Sequence, residues 1–282
     1  MSRPSLLWKF YIAAFYVFLF APLLVVAVFA FNASPFPAPP WRGSTLDWFV
    51  GTGEAFGKPG VLRDPIWLDS IVHSLKVALP VSALAVVLGT VNAWVLERAD
   101  FKGKAVFALL MLWPLVIPGV ILGISILAFF SRLANGMEEW LQTDLDFLRP
   151  GLTLVVLGQL SFILTIATLI IAARLRKFDR SLEEAAFDLG ASRWRVIRTI
   201  TLPFLRPALV GAGLVALLMS FENFNTTLML VGSEPPLPIT MYGQMREGAS
   251  PAINAVSLLV MLAVGGLASL FALTSKADSG RG

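Results

Sequence analysis

The chain contains no cysteine and a single histidine, and only 14% of its 282 residues are charged. The absence of cysteine removes disulfide scaffolds, thiolate metal sites and thiol nucleophiles together. One histidine cannot build a His cluster around a metal, and a serine-type triad would rest on that one side chain. A soluble domain averages about 25% charged residues. The scarcity of charge here, beside 57% apolar residues and a mean hydropathy of +0.78, excludes disorder and argues against a water-soluble globule. Also missing are a fixed-period repeat, a low-complexity tract and a G-x-x-x-x-G-K-[ST] phosphate loop, so the sequence shows no nucleotide site of its own. Composition points to a membrane protein.

What is present is a set of long uncharged stretches. A helix needs about 20 mostly apolar residues to cross about 30 Å of hydrocarbon. Six stretches qualify: 10–31, 75–96, 106–130, 152–173, 208–231 and 253–274. The sequence therefore predicts an all-α protein with six transmembrane helices in one membrane domain over 1–282. The first run exceeds the 7–15 residues usual for a signal-peptide core and no A-x-A site follows it, so it reads as a retained helix bent at Pro22. The N-terminus, the 96–104 loop, the 174–206 loop and the C-terminus hold 15 of the 22 Lys and Arg. By the positive-inside rule both termini are expected in the cytoplasm, and an even number of spans requires them to share a side.

The outer segments differ in character. Residues 32–73 are rich in Pro, Gly and Trp and are expected to be irregular, with their tryptophans at the membrane interface. Residues 131–150 alternate acids and apolar side chains at roughly helical spacing, as a surface-lying or partner-binding helix would. Pro235, Pro236 and Pro238 predict a rigid turn in the 231–252 loop. Asn92, Gln159, Ser161 and Thr165 read as helix-to-helix hydrogen-bonding groups, and Gly119-Val-Ile-Leu-Gly123 as a close-packing motif. His73, just outside the second stretch, reads as interfacial.

The loop 174–206 carries 12 of the chain's 40 charged residues. Arg174, Arg176, Lys177 and Arg180 open it and could meet anionic headgroups. Ser181-Leu-Glu-Glu184 reads as a capping box starting a helix that Gly190 ends. Ser192 can cap a second helix, made basic by Arg193, Arg195 and Arg198 and ended by Pro203. The result is a helix-turn-helix outside the bilayer, presenting a Glu and small Ala side chains to which another protein can approach closely.

Glu184-Ala185-Ala186, three residues, Gly190, nine residues and Ile200-x-Leu202-Pro203 resemble the EAA loop of permease subunits of ATP-binding-cassette importers, with every specified position matched. The resemblance implies a type I importer permease fold. It also implies that Glu184, Ala185, Ala186, Gly190, Ile200, Leu202 and Pro203 form the element that docks into a separate ATPase subunit. Further segments are similar to the spermidine and putrescine permeases of the PotC/PotI kind: Phe31-Asn-Ala-Ser34, His73-Ser-Leu-Lys-Val-Ala78, Asp100-Phe-Lys-Gly-Lys104, Leu182–Ser192 and Ser250-Pro-Ala-Ile-Asn-Ala255.

Glu222 is the one ionisable residue deep in an uncharged stretch. A buried acid at membrane depth costs roughly 2.5–3.5 kcal/mol on insertion scales, so it faces a polar cavity or a partner. It lies in Ser220-Phe-Glu-Asn-Phe-Asn-Thr-Thr227. On a continuous helix Glu222, Asn225 and Thr226 would share a face, with Asn223, Phe221 and Phe224 close by. A carboxylate with amide and aromatic neighbours suits an ammonium group; a structural contact to another helix or permease subunit is the other reading. The permeases resembled carry acids here, often two in succession, whereas Asn223 follows Glu222 in this chain.

The expectation is thus a non-enzymatic permease subunit of the bacterial inner membrane that binds no cofactor itself, with ATP and Mg on a partner ATPase dimer. The expected solute is a polyamine, with an amino-acid derivative or an anion as the alternative. The remaining expected partners are a second permease, favoured to be a different chain, a periplasmic solute-binding protein and the lipid bilayer; no nucleic acid is expected. An ATP-independent secondary transporter using Glu222 as a cation site is the competing class.

Overall fold

The computed structural model describes residues 6–248 and 250–279, and the side chains of 270 and 272–279 fall outside the description. Arg3 and Arg281, two of the basic residues that set the expected orientation, also lie outside the described residues. Among those described the structure is helical, with one isolated bridge pair, Asn32 and Ser44, and no named strand. The helices are α1 (Leu6–Phe29), α2 (Asp47–Val50), α3 (Pro65–Arg98), α4 (Lys104–Val116), α5 (Gly119–Leu141), α6 (Leu152–Leu175), α7 (Ser181–Asp188), α8 (Arg193–Val196), α9 (Leu202–Phe221), α10 (Asn225–Leu230), α11 (Leu237–Gly248) and α12 (Pro251–Ser279). Six helices are long and apolar enough to span a membrane: α1, α3, α5, α6, the run Arg193–Phe221 and Pro251–Ser269 of α12. They follow the six uncharged stretches in order.

Two of those stretches are not single helices. The third divides into α4 and α5 because Pro118 lacks an N–H and forces Ile117 into an extended conformation, φ −76° and ψ 127°. α5 then runs on to Leu141, so the acidic-apolar segment predicted as a separate surface helix is partly the end of a spanning one. The fifth stretch divides at Glu222–Phe224 into α9 and α10. The three-proline loop, predicted as a turn, leads directly into α11.

The chain forms two compact units, Met1–Asp69 with Thr240–Gly282, and Ser70–Ile239. In the first, α1 packs on α12 and leaves none of its own residues buried. The Pro- and Trp-rich segment that follows α1 is folded around Asn32. Its Oδ1 accepts from the Arg42 N–H at 3.0 Å and its carbonyl from Trp48 Nε1 at 2.9 Å. Trp48 stacks on Phe56 with centroids 4.4 Å apart. Trp48 and Trp67 are each 3% exposed. These two tryptophans belong to a packed cap rather than to the interface expected for them.

The second unit is built around α6. Its sequence is apolar on every side, which suits a helix enclosed by others, and Leu154, Val155, Ile163, Ala167 and Ile171 pack with Val77, Val81 and Ala85 of α3 and Ala212 and Ala216 of α9. Small residues set the close approaches: a Cβ on Gly123 would lie 2.9 Å from Met229 Cβ, and one on Gly119 3.0 Å from Asn225 Cβ. The Gly119/Gly123 pair therefore seats α10 against α5, as a small-xxx-small motif does.

Candidate functional site

Two places carry the polar chemistry of the second unit. The first is the loop from α6 to α9. Ser181 does not form the predicted capping box; Asp179 starts α7 instead, its Oδ1 accepting from the Ser181 N–H at 3.0 Å. The Ser181 hydroxyl and N–H together hold the Asp179 carboxyl below the usual aspartate value. At the other end the Ala191 N–H meets the Ala186 carbonyl and the Gly190 N–H the Phe187 carbonyl, with Gly190 at φ +82°. This is a Schellman ending, which favours glycine at the left-handed position. Ser192 Oγ accepts from the Arg195 N–H at 3.4 Å and caps α8 as predicted.

The second predicted helix does not stop at Pro203. α8 runs through a π-helical turn, Ile197–Thr201, into α9. Pro203 has no N–H to give and its ring crowds the carbonyl four residues back; the wider π turn accommodates both. Ile200 packs in this turn against Leu175, Phe178 and Leu205, while Leu202 and Pro203 open α9 with exposed side chains. Glu184, Ala185 and Gly190 are exposed and Ala186 is half-buried. Beside them Leu189 and Trp194 stand 89% and 71% exposed. Apart from Glu184 the surface is made of small and apolar side chains, and among the described residues nothing covers it.

Sequence reasoning missed what holds that surface in place. Arg98, the last residue of α3, pairs with Glu183 at 3.0 Å, both side chains little exposed at 12% and 13%. Thr201 Oγ1 donates to the same carboxylate at 2.6 Å, and the Arg98 guanidinium lies over the rings of Trp94 and Phe178 at 5.3 and 5.2 Å. Three of the arginines expected to face headgroups also bond within the chain, and Arg176 and Arg180 stay exposed while doing so. Arg176 pairs with Glu97 at 2.6 Å, Arg180 donates to the Glu97 carbonyl at 2.8 Å, and Arg174 donates to the Phe204 carbonyl at 3.2 Å. The only sequence signal was the strength of charge in the 96–104 and 174–184 segments, which does not say which acid meets which base.

The second place is the α9–α10 break. The polar cluster does not sit on one helical face. Glu222 and Asn225 are exposed, Thr226 is buried, and Phe221, Asn223 and Phe224 are half-buried. No Pro or Gly causes the break. Asn223 Oδ1 accepts from the Thr227 N–H at 3.2 Å, taking the role of a backbone carbonyl and letting the helix restart after it. The restarted helix is fastened on two sides. Thr226 Oγ1 donates to the Gly119 carbonyl at 3.3 Å, and Gln159 of α6 donates through Nε2 to Thr227 Oγ1 at 2.8 Å. Gln159 Oε1 in turn accepts a short bond from Ser220 Oγ, the penultimate residue of α9. Gln159 thus lives up to the helix-to-helix reading, and it reaches both sides of the break. The Glu222 carboxylate has no hydrogen bond or ion pair among the described residues, so it can accept from a passing donor. Among the described residues no three His, Cys, Asp or Glu gather as a metal site.

The family described as binding-protein-dependent transport system inner membrane component matches residues 85–276, a range containing both places. The putrescine transport system permease protein PotI of Escherichia coli (strain K12) is 34% identical over 252 residues, 89% of this chain and 84% of that protein. The spermidine/putrescine transport system permease protein PotC of the same organism is 26% identical over 253 residues, 89% of this chain and 87% of that one. A chain from the crystal structure of a bacterial ABC transporter that imports the acidic polysaccharide alginate superposes with a TM-score of 0.71 at 17% identity, covering 94% of this chain and 92% of its own length. That likeness extends the shared fold over nearly the whole length, well past the matched range. On these matches, laid over six apolar helices, the chain belongs to the family of inner membrane components of binding-protein-dependent transport systems.

Proposed function

We propose that the chain, acting as one permease domain, forms half of the pathway of an ATP-driven importer for a polyamine such as putrescine or spermidine. A periplasmic binding protein delivers the solute, and a second permease, a different chain, completes the channel. A partner ATPase dimer holding ATP and Mg grips Glu184 to Gly190 and the Ile200-x-Leu202-Pro203 end of the loop. Both termini lie in the cytoplasm of a bacterial inner-membrane protein. Glu222, Asn223, Asn225 and Thr226, with Phe221 and Phe224, line the solute's way, and Glu222 receives an ammonium. The observation that carries this reading is the exposed Glu222, without a polar partner among the described residues, at a helix break on the same continuous run of chain as the presented loop.

The test is solute-stimulated ATPase activity of the co-purified complex with polyamines, amino acids and anions. Polyamines are expected to stimulate, and Glu222→Gln to weaken the response about tenfold, the loss of one charge-assisted contact. Stimulation by another class alone would replace the solute, and uptake into vesicles without ATP would reject the transport class.

A further inference from the structure

The bonds across the α9–α10 break run in one direction. Ser220 donates to Gln159, Gln159 to Thr227, and Thr227 Oγ1 to Asn223 Oδ1 at 3.0 Å. The direction is fixed at the far end, because the Thr227 backbone N–H also faces Asn223 and a backbone N–H only donates. The atom it meets is therefore the amide oxygen, and the Thr227 hydroxyl, already accepting from Gln159, turns its proton the same way. Gln159, Ser220 and Thr227 are 1%, 3% and 0% exposed, so the Ser220–Gln159 and Gln159–Thr227 bonds are shielded from water.

With Oδ1 committed inward, Asn223 is left with its two N–H bonds. Nδ2 has no partner among the described residues, where the one buried polar side-chain atom lacking a partner is His73 Nδ1. Asn223 Nδ2 therefore reaches accessible space next to the exposed Glu222. The break presents one carboxylate and, beside it, a pure donor.

We infer that the Thr227 backbone N–H sets this polarity, with Gln159 a positioning residue that holds Thr227 in place, and that the break consequently engages a linear aliphatic amine one ammonium at a time, end-on. The inference rests on the reading of 221–226 as the solute's way. An ammonium only donates, so it pairs with Glu222; a second ammonium brought to the neighbouring position meets the donors of Asn223 and gains nothing. The contribution of this chain is then indifferent to the distance between the two amines of a diamine.

The experiment uses the full complex in vesicles with its binding protein, and α,ω-diamines of two to six methylenes beside a monoamine of each length. Variant-to-wild-type ratios are taken solute by solute, which cancels the selectivity of the binding protein. Asn223→Asp keeps an inward acceptor and turns a second carboxylate oxygen outward. It is expected to gain about tenfold for the short diamines over the matching monoamines, and wild type to show no such trend. Gln159→Leu is expected to shift the spacing preference the same way by less. Gln159→Glu, which keeps the acceptor for Ser220 and loses the donor to Thr227, serves if the leucine variant is not recovered. If Glu222→Gln lowers uptake of every amine while the Asn223 and Gln159 variants scale all solutes by one factor, these two residues are structural and the inference fails with the pathway reading intact. If Glu222→Gln leaves uptake of every amine unchanged, the pathway reading fails and takes the inference with it.

Discussion

Single residues decide both places. Gly190 closes α7 at φ +82°, and a Cβ there would meet nothing within 4 Å. The cost of a substitution is therefore backbone strain, about 1–2 kcal/mol for an ordinary side chain and less for asparagine. Gly190→Val should depress solute-stimulated ATPase activity while leaving the amount of assembled complex unchanged, and Gly190→Asn should retain most of it; equal loss in both would point to crowding instead. Arg98 and Glu183 form a largely enclosed pair with a hydroxyl on the same carboxylate. A double-mutant cycle of Arg98→Ala and Glu183→Gln, read by thermal unfolding in detergent, should return a coupling of roughly 1–3 kcal/mol. Arg98→Lys should fall well short of wild type, because a lysine cannot lie flat over Trp94 and Phe178 while holding both carboxylate oxygens. Spacing placed Glu184, Gly190 and Glu222 in the sequence with no structure at hand. It could not find Arg98 or Glu183, whose partners lie 85 and 18 residues away along the chain, and it marked Gln159 as a helix-to-helix group without its partner 68 residues on. Such pairings are three-dimensional facts.

At the scale of elements, uncharged length located every spanning segment but could not see where a span breaks. Pro118 divides the third by a known backbone rule, yet Pro22, Pro80, Pro114 and Pro207 sit inside continuous helices, so proline alone did not mark the site. The break at Glu222 has no breaker residue at all; side chains of Asn223 and Thr227 take over from the ladder, and that substitution is visible only once Gln159 stands opposite. The start of α7 was misread for a related reason: the Asp179 carboxylate, two residues ahead of Ser181, takes the Ser181 N–H, a competition that spacing does not resolve. Its carboxyl is held below the ordinary value of 3.8. A depressed carboxylate contributes its stability above that value and loses it as pH falls through the lower folded value. Hydrogen exchange of the first-turn amides of α7, corrected for intrinsic rates, should therefore be flat between about pH 5 and 8 and rise only in stronger acid. Asp179→Asn should remove the acid-side rise, and a change near neutral pH would assign the cap to another group.

At the largest scale, the unit Ser70–Ile239 separates a packed frame from the two exposed surfaces proposed to act. α6 is enclosed, carries the centre of the core and supplies Gln159; the loop that follows it is tied back to α3 by the Arg98 and Arg176 pairs. From that frame Arg193–Phe221 runs as one helix of 29 residues, roughly 40 Å at about 1.5 Å per residue, from the presented loop to the break. A π turn is an α-helix holding one residue too many, taken up within one wider turn, so the angular phase between Trp194 at one end and Ser220 at the other is carried by the regular turns of α9. Deleting one residue from the regular turns between 202 and 219 should rotate the two ends against each other by about 100°. Complexes carrying the deletion are expected to assemble with their ATPase yet give no solute-stimulated hydrolysis. A compensating single-residue insertion between 202 and 219 should restore it, whereas an equal insertion beyond the break should not. Read as genetics, this helix has a reading frame in which the π turn is the place that tolerates a shift, and frame-shift suppressors would map how far rigid transmission extends.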